Sequence, residues 1–154
     1  QLDVAFSLIA GGLPDGVEGI KVSEEEVVVA FAPGTAPATS RVAAGDLAGI
    51  PLAAPRSGSA IKVVADEFFA AAGESFNISL ESGDPYLIRC LVSDGFSAAI
   101  LPASLTRREG PPVDTRPLSP PVRLPVYLIW RRGRHRSPAA GAFVDFVRER
   151  AASP

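Results

Sequence analysis

Methionine is absent from the 154 residues, and cysteine, histidine and tryptophan each occur once. Lysine appears only as Lys21 and Lys62, against 13 arginines. Each scarcity removes a class of function. With Cys90 as the only thiol, an internal disulfide is impossible, and a reducing cytoplasm fits the chain. A single His135, flanked by arginines, lacks the further donors that a metal centre needs. Neither standard spacing of a glycine-rich phosphate loop is present. No apolar run approaches the roughly 20 residues of a membrane span. Gln1-Leu2-Asp3-Val4 carries neither a basic leader nor an apolar signal core, so no export is expected. The preference for arginine, alanine, glycine and proline points to a GC-rich coding sequence, which bears on source rather than function.

What is present is an apolar fraction of 47% with 21% charged residues, enough to bury an ordinary globular core. The length suits one domain or two small lobes. Charge is unevenly spread: residues 1–106 carry a net −8 and residues 107–154 a net +6. A basic C-terminal third is compatible with a nucleic-acid surface. A solvated rim is the simpler reading, because no aromatic or Gly-rich RNA module is interleaved with these arginines.

Periodicity orders the elements. Leu2–Phe6 reads as a short strand, stopped by the turn residues Gly11 to Gly16. Ile20–Val22 and Val27–Phe31 read as strands, Asp46–Gly49 as a helical turn and Pro51–Ala54 as a strand. Ile61, Val64, Ala65, Phe68, Phe69 and Ala72 form one helical stripe, with Ser57-Gly58-Ser59 as its N-cap region and Gly73 as its stop. Phe76–Leu80 reads as a strand. Asp84-Pro85 opens a helix whose expected buried face is Leu87, Ile88, Leu91 and Val92. Ser97–Leu101 is a strand, Ala103–Arg108 a short helix, and Val126–Trp130 a buried strand entered through Pro117, Pro120 and Pro121. Ser137-Pro138 opens a last helix, with Ala140, Phe143, Val144 and Val147 on its apolar face. Strands alternating with helices predict an α/β fold of βαβ units. The set from Leu52 to Leu101 is self-sufficient, so the outer segments require a second lobe, with a hinge and a cleft.

These residues, in order and spacing, resemble the effector domain of LysR-type transcription regulators. The resemblance is carried by Leu2-Asp3-Val4-Ala5-Phe6, by Val27 to Gly34, and by Asp46 to Leu52. Leu80-Glu81-Ser82-Gly83-Asp84 and Gly95 to Ser104 continue it, and Val126 to Arg131 with Ser137 to Phe143 complete it. It implies a type 2 periplasmic-binding-protein fold: two lobes with mainly parallel sheets and a small effector held between them. Residues 1–31 and 114–154 would form a partial first lobe, and residues 32–113 the second. The resemblance implies DNA binding through an N-terminal winged helix-turn-helix absent from this chain, and assembly as homodimers or homotetramers. Against that pattern, the chain begins at what would be the third strand of the first lobe, and Ser97 replaces a glycine usual two residues after Gly95.

Candidate ligand contacts follow. Ser57-Gly58-Ser59 lies between a strand and a helix N-terminus, where amide N–H groups and the helix dipole attract anions. Arg56 adds a guanidinium able to fork onto a carboxylate; a plain N-cap loop with an exposed arginine is the alternative. Ser82, with Gly83, is a weaker candidate beside Asp84, whose carboxylate reads as a structural cap. By the resemblance, Ser7 sits where the chain leaves one lobe, and Phe96 and Ser97 lie beside the cleft. Cys90 reads as a small buried hydrophobe. The expected ligand is a small organic acid; no cofactor, metal or membrane partner is expected. A solute-binding protein of a transport system would share this fold. An enzyme on it would need an acid–base pair or a nucleophile, and one histidine far from one cysteine does not supply it.

Overall fold

The computed structural model describes residues 2–151. The chain falls into two compact units, residues 26–123 and residues 1–25 with 124–154. The boundaries expected at 31/32 and 113/114 lie at the far ends of the two strands that carry the chain between the units.

Residues 26–123 are built around the longest helical stripe. Ile61, Val64, Ala65, Phe68 and Phe69 are buried along α1 (Ala60–Ala71). Ser59 Oγ accepts the Lys62 N–H at 3.2 Å as the N-cap. Gly73, at φ +69°, provides the left-handed stop that side chains resist. Two strands flank the helix in sequence, β3 (Pro51–Pro55) and β4 (Asn77–Ser82), and they pair in parallel. Phe76, expected in the strand, precedes it and stacks on Phe69 with ring centroids 4.4 Å apart. A second crossover, α2 (Pro85–Ser93), leads to β5 (Ala98–Pro102), which lies parallel to β3 on its other side. The final part of β2 (Val17–Phe31) pairs antiparallel with β5, so the local strand order is β2-β5-β3-β4. Sheet pairing is therefore mixed, the parallel pairs being those made by helical crossovers. Ala30, Ala53, Ile88, Val92, Ala99 and Leu101 form the core, with Val113 packed against it.

In residues 1–25 and 124–151, β1 (Ala5–Leu8) pairs antiparallel with β6 (Asp114–Arg131), and β6 lies beside β2. That approach makes glycine necessary at position 19: a Cβ there would lie 2.9 Å from the Leu128 carbonyl oxygen. Leu128, Trp130 and Val144 are the core, and Val144 comes from α4 (Pro138–Ala151). The Trp130 indole N–H donates to Glu18 Oε2 at 2.9 Å. The Arg136 guanidinium lies over its ring at 4.7 Å.

Several expectations shift. Ile20–Val22 and Val27–Phe31 belong to one strand, because the intervening Glu24-Glu25-Glu26 is extended and partly solvated rather than a turn. The first strand is Ala5–Leu8 rather than Leu2–Phe6. The proline-rich stretch is itself strand: Pro117 offers its carbonyl to the Val42 N–H at 2.9 Å, and Ser119 N–H returns to the Val42 carbonyl at 2.8 Å. Proline lacks only the donor, so its carbonyl still pairs. On α2, Leu87 is 45% exposed, while Arg89 is buried. The Arg89 guanidinium donates to the carbonyls of Pro111, Leu105 and Arg108 at 2.7, 2.8 and 2.8 Å, which answers its burial without a carboxylate. It thereby fixes α3 (Ala103–Arg107) and the following loop to α2.

Among the described residues no helix is long and apolar enough to cross a membrane. Two substitutions test the packing. Arg89→Met should lower unfolding free energy by about 2–3 kcal/mol, read as a lower urea midpoint, because three buried carbonyls lose a charged donor. Gly19→Ala should cost about 1–3 kcal/mol in the same measurement, because its methyl group meets backbone that has no room to move.

Candidate functional site

The register of β3 on β4 decides which residues meet. Pro55 lies opposite Ser82, so the two strands end together. Their successors, α1 and α2, therefore begin side by side at the carboxyl edge of this parallel pair, where ligands bind in open α/β sheets. The Arg56 N–H donates to the Ser82 carbonyl at 3.0 Å and closes that edge. Gly58, at φ +86°, turns the chain into α1. The Arg56 side chain lies across Gly83: a Cβ built at Gly83 would be 3.1 Å from Arg56 Nη2. Ser57, Gly58, Ser59, Arg56, Ser82 and Gly83 are thus brought together.

Their hydrogen bonding is not all free for a ligand. Ser59 Oγ is the cap of α1, and its hydroxyl proton remains to be donated. Ser82 Oγ accepts the Asp84 N–H at 3.0 Å. Asp84 Oδ1 accepts the Tyr86 and Leu87 N–H groups at 2.9 and 3.4 Å, so the carboxylate occupies the α2 N-terminus as its structural reading requires. The first-turn amides of α1, Ala60 and Ile61, have no acceptor within the helix. Arg56, Ser57 and Gly58 are exposed and Ser59 half-buried.

Glu81 enters the site without having been anticipated. Ser57 Oγ donates to its two carboxylate oxygens at 3.3 and 3.4 Å. The residue lies opposite Ala54 in the parallel register, a relation that the linear sequence does not display. Its charge opposes an anion at Ser57, and leaves Arg56 and the α1 amides as the electropositive side of the turn.

Phe96 and Ser97 do not face this turn. Ala98 lies beside Leu52, at the start of β3, whereas Arg56 follows its end. Four residues of parallel strand separate the two places, about 13 Å at 3.3 Å per residue. The reason is topological: the Gly95 turn feeds the beginning of β5, and Ser57 leaves the end of β3. Phe96 is 71% exposed, and Ser97 Oγ is shielded and has no hydrogen-bond partner. Ser7 belongs to the other unit, opposite Tyr127 in β1, with Oγ donating to the Leu8 carbonyl at 3.2 Å. His135 is exposed and Cys90 partly buried. Among the described residues no three His, Cys, Asp or Glu side chains are placed to hold a metal ion.

Comparison with known proteins agrees with this architecture. The family model described as the LysR substrate binding domain matches residues 1–152. An uncharacterised HTH-type transcriptional regulator of Bacillus subtilis (strain 168), YybE, is 27% identical over 148 residues, which are 94% of this chain and 50% of that protein. The chain therefore spans about half the length of the curated relative it matches. The effector binding domain of QuiR in complex with shikimate superposes with a TM-score of 0.81 at 23% identity, covering 94% of this chain and 69% of that one. The CcmR regulatory domain of Synechocystis PCC6803, in complex with 2-PG, gives 0.83 at 15% identity, covering 98% and 74%. These neighbours share the α/β, type 2 periplasmic-binding-protein-like fold. By the match that runs from its first residue to residue 152, the chain belongs to the LysR substrate-binding domain family.

Proposed function

We propose that this chain is the effector-reading part of a LysR-type transcription regulator and binds a small carboxylate-bearing ligand at the Ser57–Ser59 turn. The observation that carries this reading is the meeting of Arg56, the α1 N-terminus and the Ser82-Gly83 turn at the carboxyl edge of β3 and β4. A guanidinium and a helix N-terminus converging on one place favour an anion in two independent ways. Glu81 shapes the seat. It holds Ser57, so the acid sits toward Arg56 and the amides of Ala60 and Ile61, with Ser59 donating its hydroxyl proton. That QuiR was solved with shikimate and CcmR with 2-PG supports a small-molecule role for this fold.

In the parent protein DNA is contacted by a separate N-terminal segment, and the regulator works in the cytoplasm as a homodimer or homotetramer. Residues 26–123 and residues 1–25 with 124–154 are its two regulatory lobes. The role is sensing rather than catalysis, as expected of a family of transcription regulators.

A panel of aromatic and aliphatic carboxylates, shikimate and 2-PG among them, should contain one that raises the melting temperature of the chain. A ligand present at 100 times its Kd adds about 2.7 kcal/mol, enough to read by circular dichroism. Arg56→Ala should remove most of the shift, and Ser57→Ala with Ser59→Ala should reduce it. Glu81→Gln should enlarge it by lifting the repulsion. Each variant is compared with its own unliganded form, because losing the Ser59 cap costs about 1 kcal/mol by itself. A shift that all three variants retain in full would place the acid elsewhere.

A further inference from the structure

Phe96 and Ser97 belong to a cleft of their own. At the amino end of β3 and β5 an opening of about 380 Å³ is walled by Phe31, Ile50, Pro51, Phe96 and Ser97, with the Asp46 carboxylate at one side. Its chemistry is the reverse of that at the Ser57 turn. Among the described residues no arginine or lysine lines it, and Asp46 is the only charged one that does. Asp46 Oδ2 accepts the Ala43 N–H at 2.8 Å, which fixes the carboxylate in position. The Phe96 ring stands largely in solvent although aromatic rings gain by being covered. The Ser97 hydroxyl, the group that replaces the family's usual glycine, is shielded from solvent and unpartnered.

We propose that this cleft is a second small-molecule site, for an aromatic amine. The ring of the ligand lies between Phe96 and the apolar floor of Phe31, Ile50 and Pro51. Its ammonium group faces Asp46. A carboxylate of the same size is rejected, because Asp46 repels it and no cation compensates. The inference does not rest on the acid seat, from which the cleft is separated by the length of β3.

The test is a two-dimensional NMR titration of the 15N-labelled chain with tyramine, and with 4-hydroxyphenylacetate as its acidic counterpart. Tyramine should produce saturable shifts in amides of residues 31–35 and 95–98, and 4-hydroxyphenylacetate should not move them. Phe96→Ala, a change at an exposed side chain, should weaken tyramine about tenfold, the scale of one aromatic contact. Asp46→Asn keeps the cap on Ala43 and should weaken it several-fold. Arg56→Ala should leave tyramine binding unchanged. Absence of saturable shifts, equal binding of the acid, or wild-type affinity in both Phe96→Ala and Asp46→Asn would each overturn the proposal. Because the acid seat is read through Arg56 and this cleft through Phe96 and Asp46, failure of either reading leaves the other standing.

Discussion

The parallel pairing of β3 with β4 is the constraint on which the rest depends. Because Pro55 is opposite Ser82, both strands end at one edge and both following helices start there. An antiparallel pair would have sent the two helix N-termini to opposite edges. Parallel pairing requires a crossover, and α1 provides it by burying Ile61, Val64, Ala65, Phe68 and Phe69. The apolar stripe of one helix therefore decides, two steps later, that a guanidinium and a helix dipole meet. Packing and the placement of the Ser57–Ser59 turn are linked here through register.

The same register separates the Ser57 turn from Phe96 and Ser97, which the family resemblance implied to lie beside one cleft. Ser57 leaves the end of β3, while Ser97 enters the start of the neighbouring parallel β5. Parallel strands have two chemically different edges, so a turn after one strand and a turn before another cannot share a site. One edge carries Arg56 and the first turn of α1. The other carries Asp46 and exposed aromatic surface. Their opposite electrostatic character follows from chain direction at one edge, where helices begin, and from a capping carboxylate at the other.

Much of the fold was legible because its signals are local. The α1 stripe from Ile61 to Phe69, the Asp84-Pro85 start and the Gly73 stop are each set within one or two helical turns, and the structure places them as expected; Ala72, the last residue of the expected stripe, is instead the exposed C-cap. What escaped depends on partners distant in sequence. Arg89 falls on a face of α2 where periodicity favours an exposed charge, and only the carbonyls of residues 105, 108 and 111 make its burial affordable. The prolines of β6 look like breakers until Val42 pairs across Pro117 and Ser119. Of the site, the glycine and serine turn and Arg56 were readable as residue types, whereas Glu81 was not, since its role needs the register with Ala54.

Arg89 joins these levels. It ties α2, whose first turn borders the Ser82-Gly83 side of the turn, to the segment 105–111 that runs directly into β6. That strand carries the chain out of residues 26–123. A cation held only by carbonyl dipoles is satisfied in one geometry: three acceptors at 2.7–2.8 Å leave little room for α2 to tilt without carrying the segment along. A carboxylate partner could follow a moving guanidinium by rotating its side chain, but backbone carbonyls cannot. The choice of acceptor thus holds α2 and the segment at the root of β6 in one fixed arrangement.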